Sequence, residues 1–161
     1  MTMRRQNGSP LIQQDAARAF EDDITLAAMF LAPVLITAPP ADALRIVQAI
    51  AARERRGRTR EVLACDASAG DDVIGTIAEN RERIATDCGT AILWIGEVQA
   101  LRPRDQSALM KLLAFPNSGR EADAPRIVAS SSVALCDYVR KGRFDARLFY
   151  RLNIIHIVVP G

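Results

Sequence analysis

The chain has 161 residues, 49% of them apolar and 25% charged, which suits one compact globular domain able to bury a substantial core. A formal net charge of +2 gives no support to general nucleic-acid binding. Three widely spaced cysteines, Cys65, Cys88 and Cys136, argue against a disulfide framework or a zinc site, and reduced, buried thiols suited to the cytoplasm are expected instead.

Residues 1–14 are expected to be a flexible N-terminus, and residues 15–161 a single folded core. A helix is predicted from Asp15 to Phe30. The apolar run over residues 24–38 falls short of the roughly 18–20 residues a spanning helix needs, is broken by Pro33, and follows three acidic residues. It is read as a helix end leading into a buried strand, Val34 to Thr37. Ala41 to Arg56 is predicted as a helix with Ala43, Ile46, Val47 and Ile50 on one face, stopped by Gly57. Then follow a strand from Glu61 to Cys65 and a helix near Asp71 to Ala85. The most apolar strand is Ala91 to Ile95, and Pro103 opens a helix whose Leu109, Leu112 and Leu113 face inward. Arg126 to Ala129 is a further strand, Val133 to Arg151 a helical stretch, and Ile154 to Val159 the last strand. Short, continuously apolar strands alternating with helices predict an α/β fold, a three-layer αβα sandwich around a five-stranded parallel sheet. In such sheets ligands sit beyond the C-terminal strand ends, here Thr37-Ala38, Gly96-Glu97 and Ser130 to Ser132.

A phosphate-binding loop of the form G-x-x-x-x-G-K-[ST] would occupy residues 38–45. Its glycines let the backbone wrap phosphate, its amides form an anion nest, its lysine neutralises charge, and its hydroxyl holds magnesium. This chain supplies Ala38, Pro39, Pro40, Ala41, Asp42, Ala43, Leu44 and Arg45. Both glycines are gone, two prolines remove amide donors, Asp42 would repel phosphate, and no lysine precedes Lys111. An ATPase of this layout also needs a buried apolar run ending in Asp-Glu. Here Gly96 takes the place of the aspartate, and Glu97 remains as a lone carboxylate. On the residues alone, the stretch reads as an ordinary strand–turn–helix.

Residues 142–154, GRFDARLFYRLNI, resemble the segment GRFREDLYYRLNV of the AAA+ core of bacterial sigma-54-dependent transcription activators. Pro33 to Thr37 is similar to that family's PVLITG, and Cys65-Asp66-Ala67 to its NCAA. Gln106, Leu109, Met110 and Leu113 resemble its Q-x-x-LL-x-x-L helix, and Arg126 to Ser132 its RIIAATN. The resemblance implies a P-loop NTPase-like core and gives Arg151 the place of an arginine that reaches the nucleotide of a neighbouring subunit. A second finger arginine falls on Asp145, while the family's aspartate two positions on falls on Arg147, so the charges are swapped. The sensor asparagine falls on Ser132. Only 23 residues separate Cys65 from Gly89, too few for the loop with which the family touches the sigma factor, and neither lid nor DNA reader is expected.

The expectation is therefore a non-catalytic, degenerate AAA+ module acting through protein contacts in transcription control, located in the cytoplasm. Its expected partners are an intact AAA+ activator or a second copy, met through Arg151 and Arg147; direct DNA binding and membrane insertion are not expected. No cofactor or metal is expected, and Glu97, Ser132 and the loop Ala38 to Arg45 are read as vestiges. Two alternatives stay open. One is an ATP-binding and hydrolysing AAA+ protein, with magnesium, using Arg45 for phosphate and Glu97 for water. The other is an ATPase-dead clamp-loader-like accessory subunit, suggested by Leu101 to Lys111. The arginines at 53, 55, 56, 58 and 60 read as a solvated helix end, with an acidic or nucleic-acid partner as the alternative. His156, alone in an apolar strand, reads as a satisfied core histidine. Ser130 to Ser132 lack the elbow of a serine hydrolase.

Overall fold

A computed structural model describes residues 10–53, 59–85, 90–114 and 125–159. In chain order the elements are α1 (Pro10–Met29), β1 (Val34–Thr37), α2 (Pro40–Arg53), β2 (Glu61–Asp66), α3 (Val73–Glu79), β3 (Ala91–Gly96), a 3-10 turn (Val98–Ala100), α4 (Pro103–Ala114), β4 (Ile127–Ser131), α5 (Leu135–Arg140), α6 (Ala146–Leu152) and β5 (Ile155–Val158). The five strands form one sheet in the order β2-β3-β4-β1-β5, and every pairing is parallel. The expected three-layer αβα fold is therefore the observed one.

Strand periodicity explains the layers. Side chains alternate across the sheet, so Val34 and Ile36 of β1 join Ile92 and Val128 under α1 and α2, where Ile24, Ala27, Ala28, Ala43, Val47 and Ile50 close the core. Leu35, Leu93, Ile95, Ile127 and Ala129 point the other way, against Val73, Ile77, Leu109, Leu148 and Leu152. Central strands covered on both faces must be buried along their length, and all of β4 and nearly all of β1 and β3 are. The edge strands β2 and β5 are less covered, each with one buried residue, Cys65 and Ile157.

Local chemistry sets the boundaries. The stretch predicted as one helix from Val133 to Arg151 is two. Gly142 takes a positive φ of 67°, which ends the first, and Asp145 caps the second by accepting the Arg147 and Leu148 amides at 2.7 and 3.1 Å. The helix predicted over Asp71 to Ala85 is shorter, Val73–Glu79, with Asp72 as its cap. Gly75 suits that cap, because a Cβ there would lie 2.4 Å from an Asp72 carboxylate oxygen. Helix α1 begins earlier than expected, at Pro10. Residues 54–58, including three of the clustered arginines, lie outside the described residues.

Two further expectations are corrected. Cys65 is buried, and burial pushes its thiol pKa up, but Cys136 is exposed on α5, because its position falls on the helix face away from Leu135. Cys88 lies outside the described residues. His156 is not a core residue: β5 is an edge strand, and the imidazole lies on its exposed face, sharing a 2.8 Å hydrogen bond with Thr37. Partial burial still holds its pKa below the ordinary histidine value.

The most deeply buried charge is Arg126, which has no accessible surface. Its guanidinium donates to the carbonyls of Ala27 and Ala32, tying the end of α1 to the start of β4. A helix C-terminus leaves carbonyls without partners, and a cation is the favourable group to satisfy them. Replacing the guanidinium with an apolar chain strands these acceptors, so Arg126→Met is expected to lower stability by about 2–4 kcal/mol in urea unfolding. At Asp145, the helix-capping amides hold the carboxyl below its ordinary pKa. A depressed folded-state pKa stabilises above the unfolded value near about 4 and loses that contribution as pH falls through the folded one. Asp145→Ala is therefore expected to cost about 1 kcal/mol at neutral pH, and the gap from wild type should close progressively below about pH 4.

Candidate functional site

The connections around β1 and β4 place the candidate site. From β1 the chain passes through α2 on one face of the sheet; from β4 it passes through α5 and α6 on the other. These neighbouring strands therefore open a crevice at their C-terminal ends, the position at which parallel sheets hold ligands. The structure brings the β1–α2 turn, Glu97 and Ser131-Ser132 to that end of the sheet.

Only Ala38 and Pro39 lie between β1 and α2. The Ala38 amide donates to the Ser131 carbonyl at 3.1 Å, stitching the turn to β4. Pro39 and Pro40 have no amide hydrogen, and Pro40 occupies the first helical position, where that loss is tolerated. The Asp42 and Ala43 amides both donate to the Pro39 carbonyl, at 3.0 and 2.9 Å. Asp42 sits in the first turn of α2, where the helix dipole favours a carboxylate, and lies 3.7 Å from Arg45. Arg45 projects into solvent with most of its side chain exposed.

Glu97 and Ser132, singled out separately in the sequence, meet. The Ser132 hydroxyl donates to Glu97 Oε2 at 2.7 Å, and Gln99 Nε2 donates to the same oxygen at 2.5 Å. Glu97 itself adopts a left-handed backbone, φ 51°, a strained state for a side chain of this kind. Beside it, Gly96 is not crowded. A Cβ there would meet the Cys65 carbonyl at 3.7 Å and the Trp94 ring at 3.8 Å, both ordinary contacts. Trp94 Nε1 donates to Ser130 Oγ at 2.8 Å, and the Ser131 hydroxyl donates to the Val133 carbonyl at 2.7 Å. The serines thus close the end of β4 rather than project as nucleophiles. Among the described residues, no three His, Cys, Asp or Glu side chains are grouped to hold a metal ion, and no helix is long and apolar enough to cross a membrane.

The arginine edge is built on α6. Residues 147, 150 and 151 recur at helical spacing and are exposed, presenting Arg147, Tyr150 and Arg151 as one stripe. Arg147 is 79% exposed and lies 3.5 Å from Asp145 Oδ2. The charge swap thus has a local role: aspartate at 145 caps the helix that carries the arginines. Phe149 anchors the same helix and meets Tyr150 edge-on, with ring centroids 5.4 Å apart.

One residue orients this edge in a way the sequence pattern did not reveal. Gln106 of α4 is buried and spends its whole amide on the 143–145 loop and its own helix start. Its nitrogen donates to the Leu101 and Arg143 carbonyls at 2.9 and 3.2 Å, and its oxygen accepts the Asp145 amide at 2.8 Å. The sequence marked Gln106 only as the polar residue of the Q-x-x-LL-x-x-L resemblance, on the face of α4 that also carries Leu109 and Leu113, and not by its partners.

Comparison with known proteins agrees with this architecture. The chain is 35% identical over 74 residues to the phenol regulator MopR of Acinetobacter guillouiae, a stretch covering 42% of this chain and 13% of that one. Its fold matches NtrX of Brucella abortus, solved with ADP, at a TM-score of 0.66 and 19% identity, over 100% of this chain and 38% of that one. It matches the P-loop NTPase domain of a sigma-54 activator from E. coli at a TM-score of 0.68 and 12% identity, over 90% of this chain and 96% of that domain. The chain thus spans well under half of MopR and NtrX. The sigma-54 interaction domain family model matches residues 14–161, and with the fold and the arginine-bearing α6 segment already in place, the chain belongs to that family of AAA+ domains.

Proposed function

We propose that this chain is a non-catalytic member of the sigma-54 interaction family, acting in transcription control by binding protein rather than by turning over nucleotide. The observation that carries this reading is the β1–α2 turn. A triphosphate cradle needs several successive amides aimed at one point, with a cation beside them. Here the Ala38, Asp42 and Ala43 amides are bonded within the chain, Pro39 and Pro40 supply none, and a carboxylate occupies the helix N-terminus. The residues present do not fit a triphosphate with magnesium.

What remains on offer is the α6 stripe. Arg147 and Arg151 are exposed cations flanking Tyr150, on a helix braced by Asp145 and Gln106. Arginine and tyrosine on a rigid element are the side chains that dominate protein interfaces. In this reading the stripe docks on an intact AAA+ activator or on a second copy, and so tunes an assembly. A second reading, an ATP-binding protein with an aberrant loop, draws support from one contact: Glu97 and Ser132 remain paired at the mouth of the crevice.

Two measurements separate these readings. Titration calorimetry of the pure chain with ATP and magnesium is expected to show no binding tighter than about 1 mM. Gly96→Asp should fold normally, given the space at that position, and should not create binding, since the turn still lacks a lysine and a nest of successive free amides. Saturable ATP binding in the micromolar range by the wild type would replace the first reading with the second. Co-purification from the native cell is expected to recover an intact AAA+ activator with the wild-type chain, and Arg151→Glu should reduce that recovery at least about tenfold.

A further inference from the structure

Among the described residues, the outer edge of β5 combines backbone groups without a strand partner and exposed apolar side chains. Its inner side is committed: the Ile155 and Val159 amides donate to the carbonyls of Pro33 and Thr37. In a parallel ladder alternate residues turn their N–H and C=O to opposite sides, so His156 and Val158 direct both outward, and Ile154, in the turn just before the strand, directs its carbonyl outward, opposite the inward Ile155 amide. Among the described residues, no strand lies beyond β5 in the sheet. The side chains of the same residues are exposed, Ile154 by 59% and Val158 by 51%.

Natural edges are usually guarded by lysine, proline, a bulge or a covering element. The run Ile154-Ile155-His156-Ile157-Val158-Val159 contains no charged group when the histidine is neutral and no proline, and its register with β1 is unbroken. It is also rich in β-branched residues, the composition most prone to strand addition.

We propose that β5 pairs with β5 of a second copy of this chain, antiparallel about a two-fold axis at His156, joining the two sheets into one. The register selects this occupant. Centred on His156, the pairing sets Ile154 opposite the partner copy's Val158, Val158 opposite its Ile154, and the histidines opposite each other. All three residues are used: the opposed histidines exchange two backbone hydrogen bonds, and each Val158 amide donates to the partner copy's Ile154 carbonyl. The exposed aliphatic side chains cover one another, and no like charges meet. A centre one residue later would set Ile154 against Pro160, which has no amide hydrogen; one residue earlier, Val158 would face Leu152, which belongs to α6. Such a self-complementary contact is isologous and closes at two copies, whereas a stripe that binds a different surface of its partner does not. A single strand pair buries little area, so the association is weak and concentration-dependent.

The test is sedimentation equilibrium of the full 161-residue chain up to about 1 mM. Wild type is expected to shift from monomer to dimer and no further. Val158→Lys and, independently, Ile154→Lys should weaken dimerisation at least about tenfold while keeping the wild-type circular dichroism spectrum, because lysine on an exposed edge guards it without touching the core. Arg151→Glu should leave the dimer unchanged. Wild type that stays monomeric throughout would overturn the proposal. So would an assembly that survives both lysine substitutions, or one dissolved only by Arg151→Glu; the last result would leave the α6 reading standing and remove this one.

Discussion

The functional reading depends on how short the connection between β1 and α2 is. With α2 starting at Pro40, the helix must cap itself at once, and the Pro39 carbonyl takes the Asp42 and Ala43 amides to do so. Backbone hydrogen bonds are not optional in a packed fold, so amides used to close a tight turn are withdrawn from any ligand. The prolines make the arrangement firm: Pro40 is preorganised for a first helical residue, and the two rings together remove two donors. The Asp42 carboxylate then stands near the positive end of the α2 dipole, where an anionic ligand would otherwise be favoured.

A different economy governs the other end of the molecule. The α6 helix is short, Ala146–Leu152, and short helices gain little from their own hydrogen bonds. It is held from outside, by the Asp145 cap, by the Gln106 amide clasping the loop before it, and by Leu148 and Leu152 in the core. That bracing fixes the direction in which Arg147, Tyr150 and Arg151 point. A flexible display of the same residues would lose more entropy on binding. The aspartate at 145 therefore supports the stripe through helix geometry rather than opposing it through charge.

The two faces proposed for partners differ in kind. The α6 stripe is cationic and aromatic, suited to an acidic or mixed surface. The β5 edge is uncharged and offers main-chain hydrogen bonds to another strand. On β5 itself, the hydrogen bond between His156 and Thr37 holds the imidazole on the exposed sheet face. Arg126 works at the opposite end of the sheet, where β1 and β4 begin, and holds α1 down over the core beneath β5.

Much of this was legible in the residues. Continuously apolar runs such as Val34 to Thr37 and Ala91 to Ile95 require burial on both faces, and that alone implies a parallel sheet between helical layers. The GRFDARLFYRLNI segment marked the family, and the alanines and prolines at 38–41 identified the altered turn. Strand order, by contrast, is a matter of long-range pairing. Only the tertiary structure places β5 at an edge, which turns His156 from an apparent core residue into an exposed one and leaves Ile154 and Val158 uncovered. Likewise the split between α5 and α6, the meeting of Glu97 with Ser132, and the burial of Arg126 and Gln106 arise from contacts between residues distant in the chain. Local pattern reports which side of an element is apolar; it carries no record of which neighbour, or none, will cover that side.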